Sequence, residues 1–559
     1  MTDVLFGQSY YLRFDPKLWE AMQPYPPLGT LYAASATRER GYTVALFDAM
    51  LAESEEEWGR ALGQHAPRFA VIFDDHFNYL SKMCLLRMRE AAIRMIGMAR
   101  AHGSTVIVCG ADASDHPEPY LDAGAHFVLY GEGDATLLEL LDRLSGRSNG
   151  LLEAIQGLAF YPDKVTRDTR HETRETRPGD QETAHSKTSE TAEPRAISFS
   201  PGLASPGLAF PPLKTPRRPD LKDLDALPFP AWDLVDVGRY RAIWRERHGY
   251  FSMNMVTTRG CPYHCNWCAK PTWGQRYNSR SPESVAAELR WLKETYAPDH
   301  IWFADDIMGL RPGWWRRFAD EVERLGAHVP FKCLSRADLL LRDGAIPAMA
   351  RAGCQIVWIG AESGSQQVLN AMEKGTTVEQ IEQAARDLRA SGVRVGFFLQ
   401  FGYPGETRED IERTLDMVRR SRPDDIGMSV SYPLPGTTFY QRVQGELGAK
   451  RNWQDSDDLA MLYRGPYTTN FYRQLYVVLH REFRARRYAR ELLGLLRHPL
   501  AARPRHARQA ARMAYYALSL PLERRKLAAL EREPHAAMPS LAPALDLHEA
   551  ATPSPQGDA

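Results

Sequence analysis

The sequence predicts an α/β protein with two parallel sheets in tandem, and three observations carry that expectation. Strand-length apolar runs alternate with runs of helical period over residues 1–147, and the same alternation resumes before residue 258 and continues to about residue 445. Between them lies a polar stretch with too few large apolar residues to bury a core. A chain of 559 residues has room for two or three domains.

In the first unit, strands are expected at Asp3–Gln8, Thr43–Asp48, Phe69–Asp75, Thr105–Gly110 and Ala125–Gly133, with helices at Pro27–Gly41, Ser81–His102 and Ala135–Leu144. Such alternation builds a doubly wound, Rossmann-like sheet, which binds ligands at the carboxyl ends of its strands. Those ends carry Asp48, Asp74, the run Cys109-Gly110-Ala111-Asp112 and the run Tyr130-Gly131-Glu132-Gly133-Asp134, in which glycine permits close backbone approach. Residues 148–225 read as a linker whose Thr/Arg-rich, then Ser/Pro/Gly-rich insertion, about 164–218, is expected to be disordered. A short copy within it, Gly157-Leu158-Ala159-Phe160 recurring as Gly207-Leu208-Ala209-Phe210, suggests local duplication.

Residues 226–445 form the second unit. Apolar runs at His300–Asp306, Phe331–Asp338, Gln355–Glu362, Val393–Tyr403 and Asp425–Tyr432, with one more strand before Thr258, make six β/α repeats. Six repeats give a partial, open barrel of the TIM type, whose reacting groups sit at the carboxyl ends of the strands. That rule selects Asp305, Asp306, Ser335, Arg336, Glu362, Ser363, Gln400, Gly402 and Gly405. Residues 446–530 read as helical. Leu475, Val478, Leu479, Phe483, Leu492, Leu493 and Leu496 mark an apolar face, and Arg481, Arg484, Arg486, Arg487, Arg490 and Arg497 a basic one. Such a helix either caps the barrel or makes weak contact with a membrane surface. Residues 531–559 are rich in Pro and Ala and are expected to be disordered.

Composition narrows the function classes. Lys plus Arg equals Asp plus Glu at 70 each, so no overall field points to nucleic acid. Seven cysteines form no secreted disulfide framework, the amino terminus lacks a signal-peptide pattern, and no run of 18 apolar residues occurs. A cytoplasmic protein is expected.

The chemistry is concentrated in Thr258-Arg259-Gly260-Cys261-Pro262-Tyr263-His264-Cys265-Asn266-Trp267-Cys268. The C-x3-C-x2-C spacing presents the thiolates of Cys261, Cys265 and Cys268 to one cluster, on a loop that Gly260 and Pro262 keep from extending as a helix. A cubic iron–sulfur cluster normally takes four cysteines, so three leave one iron open to a non-protein ligand. The other reading of the motif is a structural zinc site, which usually wants four ligands in C-x2-C pairs; Cys333 or Cys354 would have to supply the fourth.

The motif, with Trp267 just before its last cysteine, resembles that of the radical S-adenosylmethionine (SAM) superfamily. The resemblance implies a [4Fe–4S] cluster, SAM chelated at the open iron, a 5′-deoxyadenosyl radical and a one-electron donor such as flavodoxin or ferredoxin. It implies that Asp305 or Asp306, in Phe303-Ala304-Asp305-Asp306, holds the SAM amino group. Arg336 would pair with the SAM carboxylate or a substrate acid, while Glu362 would reach the methionine or ribose, and the segment Phe398–Glu406 would meet adenine. Trp267, Ser335, Ser363, Gln400 and Gly402 complete that set.

Pro26-Pro27-Leu28-Gly29, Gly110-Ala111-Asp112 and Gly131-Glu132-Gly133-Asp134 resemble the cobalamin-binding domain that precedes many radical SAM cores. Gly110, Ala111, Gly131, Glu132 and Gly133 are its implied cofactor residues. The D-x-H-x-x-G histidine of the best-known cobalamin domains is missing, and Asp74-Asp75-His76 is the nearest echo. Ile359–Ser365, Lys374–Thr377 and Ser431–Thr437 resemble a subgroup that includes anaerobic magnesium-protoporphyrin monomethyl ester cyclase. The expected function is therefore methyl transfer or oxidative cyclisation at an unactivated carbon of a small, apolar metabolite. The alternative is a non-catalytic iron–sulfur relay or sensor.

Overall fold

The computed structural model describes residues 2–77, 83, 85–164, 211–268, 272–342, 344–448, 450–456, 458–497 and 504–534. Most of the insertion expected to be disordered, residues 165–210, and most of the tail, residues 535–559, lie outside the described residues.

The first sheet contains β1 (Val4–Gly7), β2 (Val44–Leu46), β3 (Phe69–Phe73), β4 (Thr105–Cys109), β5 (Phe127–Leu129), β6 (Leu158–Phe160) and β7 (Leu213–Lys214), in the order β2-β1-β3-β4-β5-β6-β7. Its first five strands are parallel, with Val71 of β3 opposite Phe6 of β1 on one side and Ile107 of β4 on the other. These strands are continuous apolar runs because helices cover both faces and leave no wet side for polar alternation. The chain order reverses beside β1, which puts the switch-point crevice between the ends of β1 and β3. The stretch expected to be a linker departs from expectation: β6 and β7 extend this sheet antiparallel, Ala159 pairing with Lys214. Strands of three and two residues are too short to leave a periodic signal.

The second sheet contains β8 (Ser252–Met255), β11 (His300–Phe303), β12 (Phe331–Ser335), β13 (Cys354–Glu362), β14 (Arg394–Phe401) and β15 (Asp425–Val430), in the order β15-β14-β13-β12-β11-β8. The short pair β9 (Thr258–Arg259) and β10 (Asn278–Ser279) stands apart as a two-stranded ribbon. All six core strands are parallel and adjacent in chain order, the layout of an open β/α barrel. Helices such as Pro282–Tyr296, Trp314–Leu325 and Val378–Ala390 bury Leu289, Phe318 and Ile381 against Phe331, Val357 and Phe397, the outward alternate residues of the strands. Thr377 and Gln380 form a capping box that starts the last of these helices.

Helices Thr469–Arg497 and Pro504–Leu530 pack on each other in the carboxyl-terminal region. Leu475, Val478, Leu479 and Phe483 are buried in the core. Part of the basic face is paired, Arg481 with Glu523, Arg486 with Glu482 and Arg487 with Glu491. No described helix is long and apolar enough to cross a membrane.

Candidate functional site

The cysteine turn follows β9 at the carboxyl end of the barrel, and its neighbours fix it from three sides. Asp305, just beyond β11, accepts from Thr257 N at 2.7 Å and Thr258 N at 2.6 Å, and from both threonine hydroxyls. Burial nevertheless pushes its carboxyl up to about 6. Gly260 has φ +82 and sits so close to the Arg276 carbonyl that a Cβ would meet that oxygen, so only glycine fits the entry to the turn. Asn266 donates to Ala371 O at 2.8 Å and accepts from Tyr403 Oη at 2.9 Å, which ties the turn to the loops after β13 and β14.

Cationic side chains converge on the same turn. Arg336 stacks over the Tyr263 ring at 3.6 Å, places Nη1 3.7 Å from the Cys265 sulfur, pairs with Asp338 at 2.9 Å and donates to Lys374 O and Thr376 Oγ1. Lys374 Nζ meets Glu362 at 2.8 Å, with both residues buried. Burial works against that ammonium, yet Glu362 and the Cys265 sulfur hold its pKa above the usual lysine value. Glu362 follows a β-bulge after Gly360 and has φ +55, a strained backbone for a side-chain-bearing residue. Lys374 pairs with it, and the N–H donors of Arg336 and Lys374, although each is matched by a carboxylate, face the cysteines and suit an anionic thiolate–sulfide assembly there.

Cys265 is buried, and Cys261 and Cys268 are partly exposed. Cys333 faces the outer helical layer and Cys354 opens β13 at the opposite end of the sheet, so neither can be a fourth thiolate for the turn. Among the described residues no three His, Cys, Asp or Glu side chains converge closely enough for a single metal ion. A cubane instead spreads its thiolates, one to each iron, and this donor set fits it. Among the described residues, polar atoms near the turn lack partners: Ser335 Oγ, Gln400 Oε1, Glu406 Oε1 and Trp267 Nε1 are buried without a hydrogen bond.

Several residues picked out by sequence prove to be otherwise engaged. Asp305 is used up on Thr257 and Thr258, which leaves Asp306 as the exposed carboxylate of the pair. Arg336 clamps the cysteine turn through the Cys265 sulfur and Lys374 O. Ser363 Oγ bonds Thr414 Oγ1 and Ser365 N, a link within the outer layer. Gly402 gives its N–H to Glu406 and its carbonyl to Tyr463 Oη, and its open face packs on Met461 and Tyr472.

At the edge of the first sheet, a Cβ at Gly110 would strike Asp74 Oδ2 and one at Gly133 would strike Cys109 Sγ, so the protein itself fills both glycine gaps. Ala111 is buried at the start of the helix Ala111–Asp115, and a Cβ on Gly131 would stand 3.7 Å from Arg217 Nε. Glu132 accepts from Leu221 N at 2.7 Å, and burial pushes its carboxyl up to about 7.

Gln8 is not singled out by sequence, and two pairings, Arg259 with Asp134 and His76 with Trp273, are not foreseen there. Gln8, directly after β1 at the switch point, is 0 % exposed, and neither atom of its amide finds a partner. The fully buried pair Arg259–Asp134, at 2.9 Å, joins the residue two before Cys261 to the loop after β5. Finally, His76 and Phe77, after β3, pack against Trp273, and Thr272 Oγ1 lies 3.3 Å from His76 Nδ1. The strand ends of both sheets therefore face each other across the cysteine turn. None of the three leaves a local signal: Gln8 is a single polar letter after a strand, and the other two are long-range pairings that no local spacing encodes.

Residues 255–418 match the radical SAM superfamily. An uncharacterised methyltransferase of Pyrococcus horikoshii is 25 % identical over 439 residues, covering 77 % of this chain and 81 % of the relative. Anaerobic magnesium-protoporphyrin IX monomethyl ester cyclase of Rubrivivax gelatinosus is 28 % identical over 242 residues, covering 42 % of this chain and 41 % of the relative. Among solved structures, the cobalamin-dependent SAM radical enzyme OxsB with aqua-cobalamin bound superposes with a TM-score of 0.64 at 17 % identity, covering 94 % of this chain and 72 % of that one. The cysteine turn thus lies within the stretch that matches the radical SAM superfamily, and the chain as a whole has the fold of the cobalamin-dependent SAM radical enzyme OxsB.

Proposed function

We propose that the protein is a cobalamin-dependent radical SAM enzyme that modifies an unactivated carbon of a small, apolar metabolite, by methyl transfer or oxidative cyclisation. The observation that carries this reading is the opposition of two strand-end edges across one cysteine turn, joined by Arg259 and Asp134. When bound, the cluster with SAM would supply an electron and a carbon-centred oxidant, and cobalamin a methyl group or a second redox centre. The chain's own residues do the rest. Cys261, Cys265 and Cys268 hold the cluster, and Arg336 and Lys374 offset its charge. Ser335 and Gln400, with polar atoms unmet among the described residues, are the groups offered to SAM at the strand ends, with Asp306, Trp267 and the Lys374-paired Glu362 beside them.

On the facing edge, the unpaired amide of Gln8 and the side chains of Asp74 and His76 suit the amide-rich rim of a corrin. Glu132, Gly131 and Ala111 border the same edge. Trp273 and Phe77, stacked at 5.4 Å, keep water from the seam between the sheets. A one-electron donor of the flavodoxin or ferredoxin type and a reducing, cytoplasmic setting fit a cluster of this kind.

The test is an anaerobic assay of the reconstituted protein with SAM and a reductant. 5′-Deoxyadenosine together with S-adenosylhomocysteine is the expected product set for methyl transfer, and 5′-deoxyadenosine alone for cyclisation or oxidation. A cluster that forms but never cleaves SAM returns the protein to the relay or sensor class. Corrin absorbance retained through desalting is the parallel expectation for cobalamin.

A further inference from the structure

The concave face of the barrel is unusually uncovered. Inward Ile356, Trp358 and Gly360 of β13 and Gly427 and Ser429 of β15 are only partly buried, and Phe398 of β14 is 38 % exposed although it lies mid-strand. Phe398 and Trp358 stack at 4.7 Å with planes 27° apart, and neither belongs to a buried core cluster. Two glycines make this possible: a Cβ at Gly396 would penetrate the Trp358 ring at 2.5 Å, and one at Gly427 would press on Phe398 at 3.2 Å. The rings therefore stack on each other above the two glycines, and Phe398 keeps part of its surface toward the open concave face.

At the deep end of this face stands Lys332. Its ammonium sits 4.9 Å from the Trp302 ring and 5.3 Å from the Tyr25 ring, and no carboxylate or hydrogen-bond acceptor meets it among the described residues. Burial pushes its pKa down to about 8, which still leaves it mainly charged at neutral pH. The other charged groups of this layer do not neutralise it. Arg394, level with it two strands away through Ile356, is also cationic and has no ion pair among the described residues. His300 is held neutral by burial and by these two cations, its pKa down to about 3. The inward carboxylate of β15, Asp425, caps Ile426 N three strands from Lys332. A partly buried ammonium with rings beside it and no counter-ion is costly unless something anionic arrives.

By register, Leu334 lies opposite Trp358 and Gly360 opposite Phe398. Lys332, Trp358 and Phe398 thus form a diagonal row, about 8 Å per step, rising toward the cysteine-bearing edge. We propose that this concave face is the substrate pocket, and that it takes a flat apolar molecule carrying an anionic group, its body laid on Trp358 and Phe398 and its anion at Lys332. The inference rests on the functional reading above and sharpens it: the substrate enters with its charged end deep and its unactivated carbon toward the cluster.

The test uses the anaerobically reconstituted holoprotein and two probes, 1-pyrenebutyrate and the neutral 1-pyrenebutanol, followed by pyrene emission. Wild type should bind the acid about 10-fold or more tightly than the alcohol, since one retained ion pair in a partly buried site is worth roughly 1.4 kcal/mol per tenfold. Lys332→Met should abolish that preference while leaving alcohol binding within about 2-fold, and Lys332→Arg should keep it. Phe398→Ala should weaken both probes alike, by about 5-fold for a lost stacking surface. Equal binding of acid and alcohol by wild type, a preference that survives Lys332→Met, or binding indifferent to Phe398→Ala overturns the proposal. The SAM-induced change in the cluster spectrum, recorded on the same wild-type sample without probe, reports separately on the functional reading; its absence would sink that reading and leave the pocket result standing.

Discussion

The two parallel sheets offer their carboxyl-terminal edges to the same seam, yet they treat their special positions differently. On the first sheet, the glycines that looked poised for a cofactor are occupied from within, Gly110 by Asp74 and Gly133 by Cys109. On the second, Ser335, Gln400 and Glu406 are buried with polar atoms unmet. A glycine at a strand end therefore signals close packing of any kind, and an unmet polar atom is the better marker of a missing ligand. By that measure the first sheet has its own marker in Gln8, just after β1 and separated from the glycine-bearing ends of β4 and β5 by β3.

The contrast can be broken or sharpened by substitution. The largest effect is expected from Cys265→Ala: with one of three thiolates gone, anoxic reconstitution should lose the cluster's visible absorbance and all 5′-deoxyadenosine formation, and retained SAM cleavage would refute the site. Next comes Arg259→Ala. Arg259 is 4 % exposed and its removal strands Asp134 beside Glu132, so an unfolding free energy lower by about 3–5 kcal/mol is expected in denaturant titration. A loss below about 1 kcal/mol would mean that the sheets are held together elsewhere.

Glu406 gives a pH-dependent effect. Burial pushes its carboxyl up to about 8, against an ordinary value of 4.5, with only Gly402 N to satisfy it. The folded state therefore keeps a proton that the unfolded chain releases. The stabilisation is complete below about 4.5 and is lost as pH rises to about 8. Glu406→Gln, neutral at every pH, should match wild type near pH 4 and exceed it by on the order of a few kcal/mol at pH 8. Parallel melting temperatures of the two proteins across that range would show that Glu406 is ionised in the fold. The smallest effect is expected at Arg38, whose pair with Asp233, at 2.6 Å, also bridges the two regions but is exposed on both sides. Arg38→Ala should change stability by less than about 1 kcal/mol, and less still in high salt.

The sequence made the alternating architecture, the cysteine turn and the strand-end neighbourhoods legible, because all three are written in short-range spacing. It did not say which strand-end carboxylate would be spent on the backbone. Asp305 and Asp306 are adjacent in sequence, and only the β9 hairpin, folding back over β11, decides that Asp305 buttresses Thr257 and Thr258. Glu362 was legible as a polar group, but its partner Lys374 lies 12 residues on, across a helix. Lys332 reads as one polar letter in an apolar strand. Its meaning depends on the Tyr25 and Trp302 rings, brought to it from the first region and from the neighbouring strand. β6 and β7 escaped for the same reason, since their pairing spans a stretch that has no pattern of its own.

The antiparallel union of β6 with β7 pins residues 160 and 213 opposite each other at the sheet margin. Whatever is spliced between those two points enters and leaves at one place, and doubling its length adds only about 0.6 kcal/mol of closure entropy. This margin is a natural insertion port: trimming residues 165–210 to a short glycine–serine turn should leave the catalytic seam unmoved, and kindred chains are free to differ here by dozens of residues while presenting the same working face.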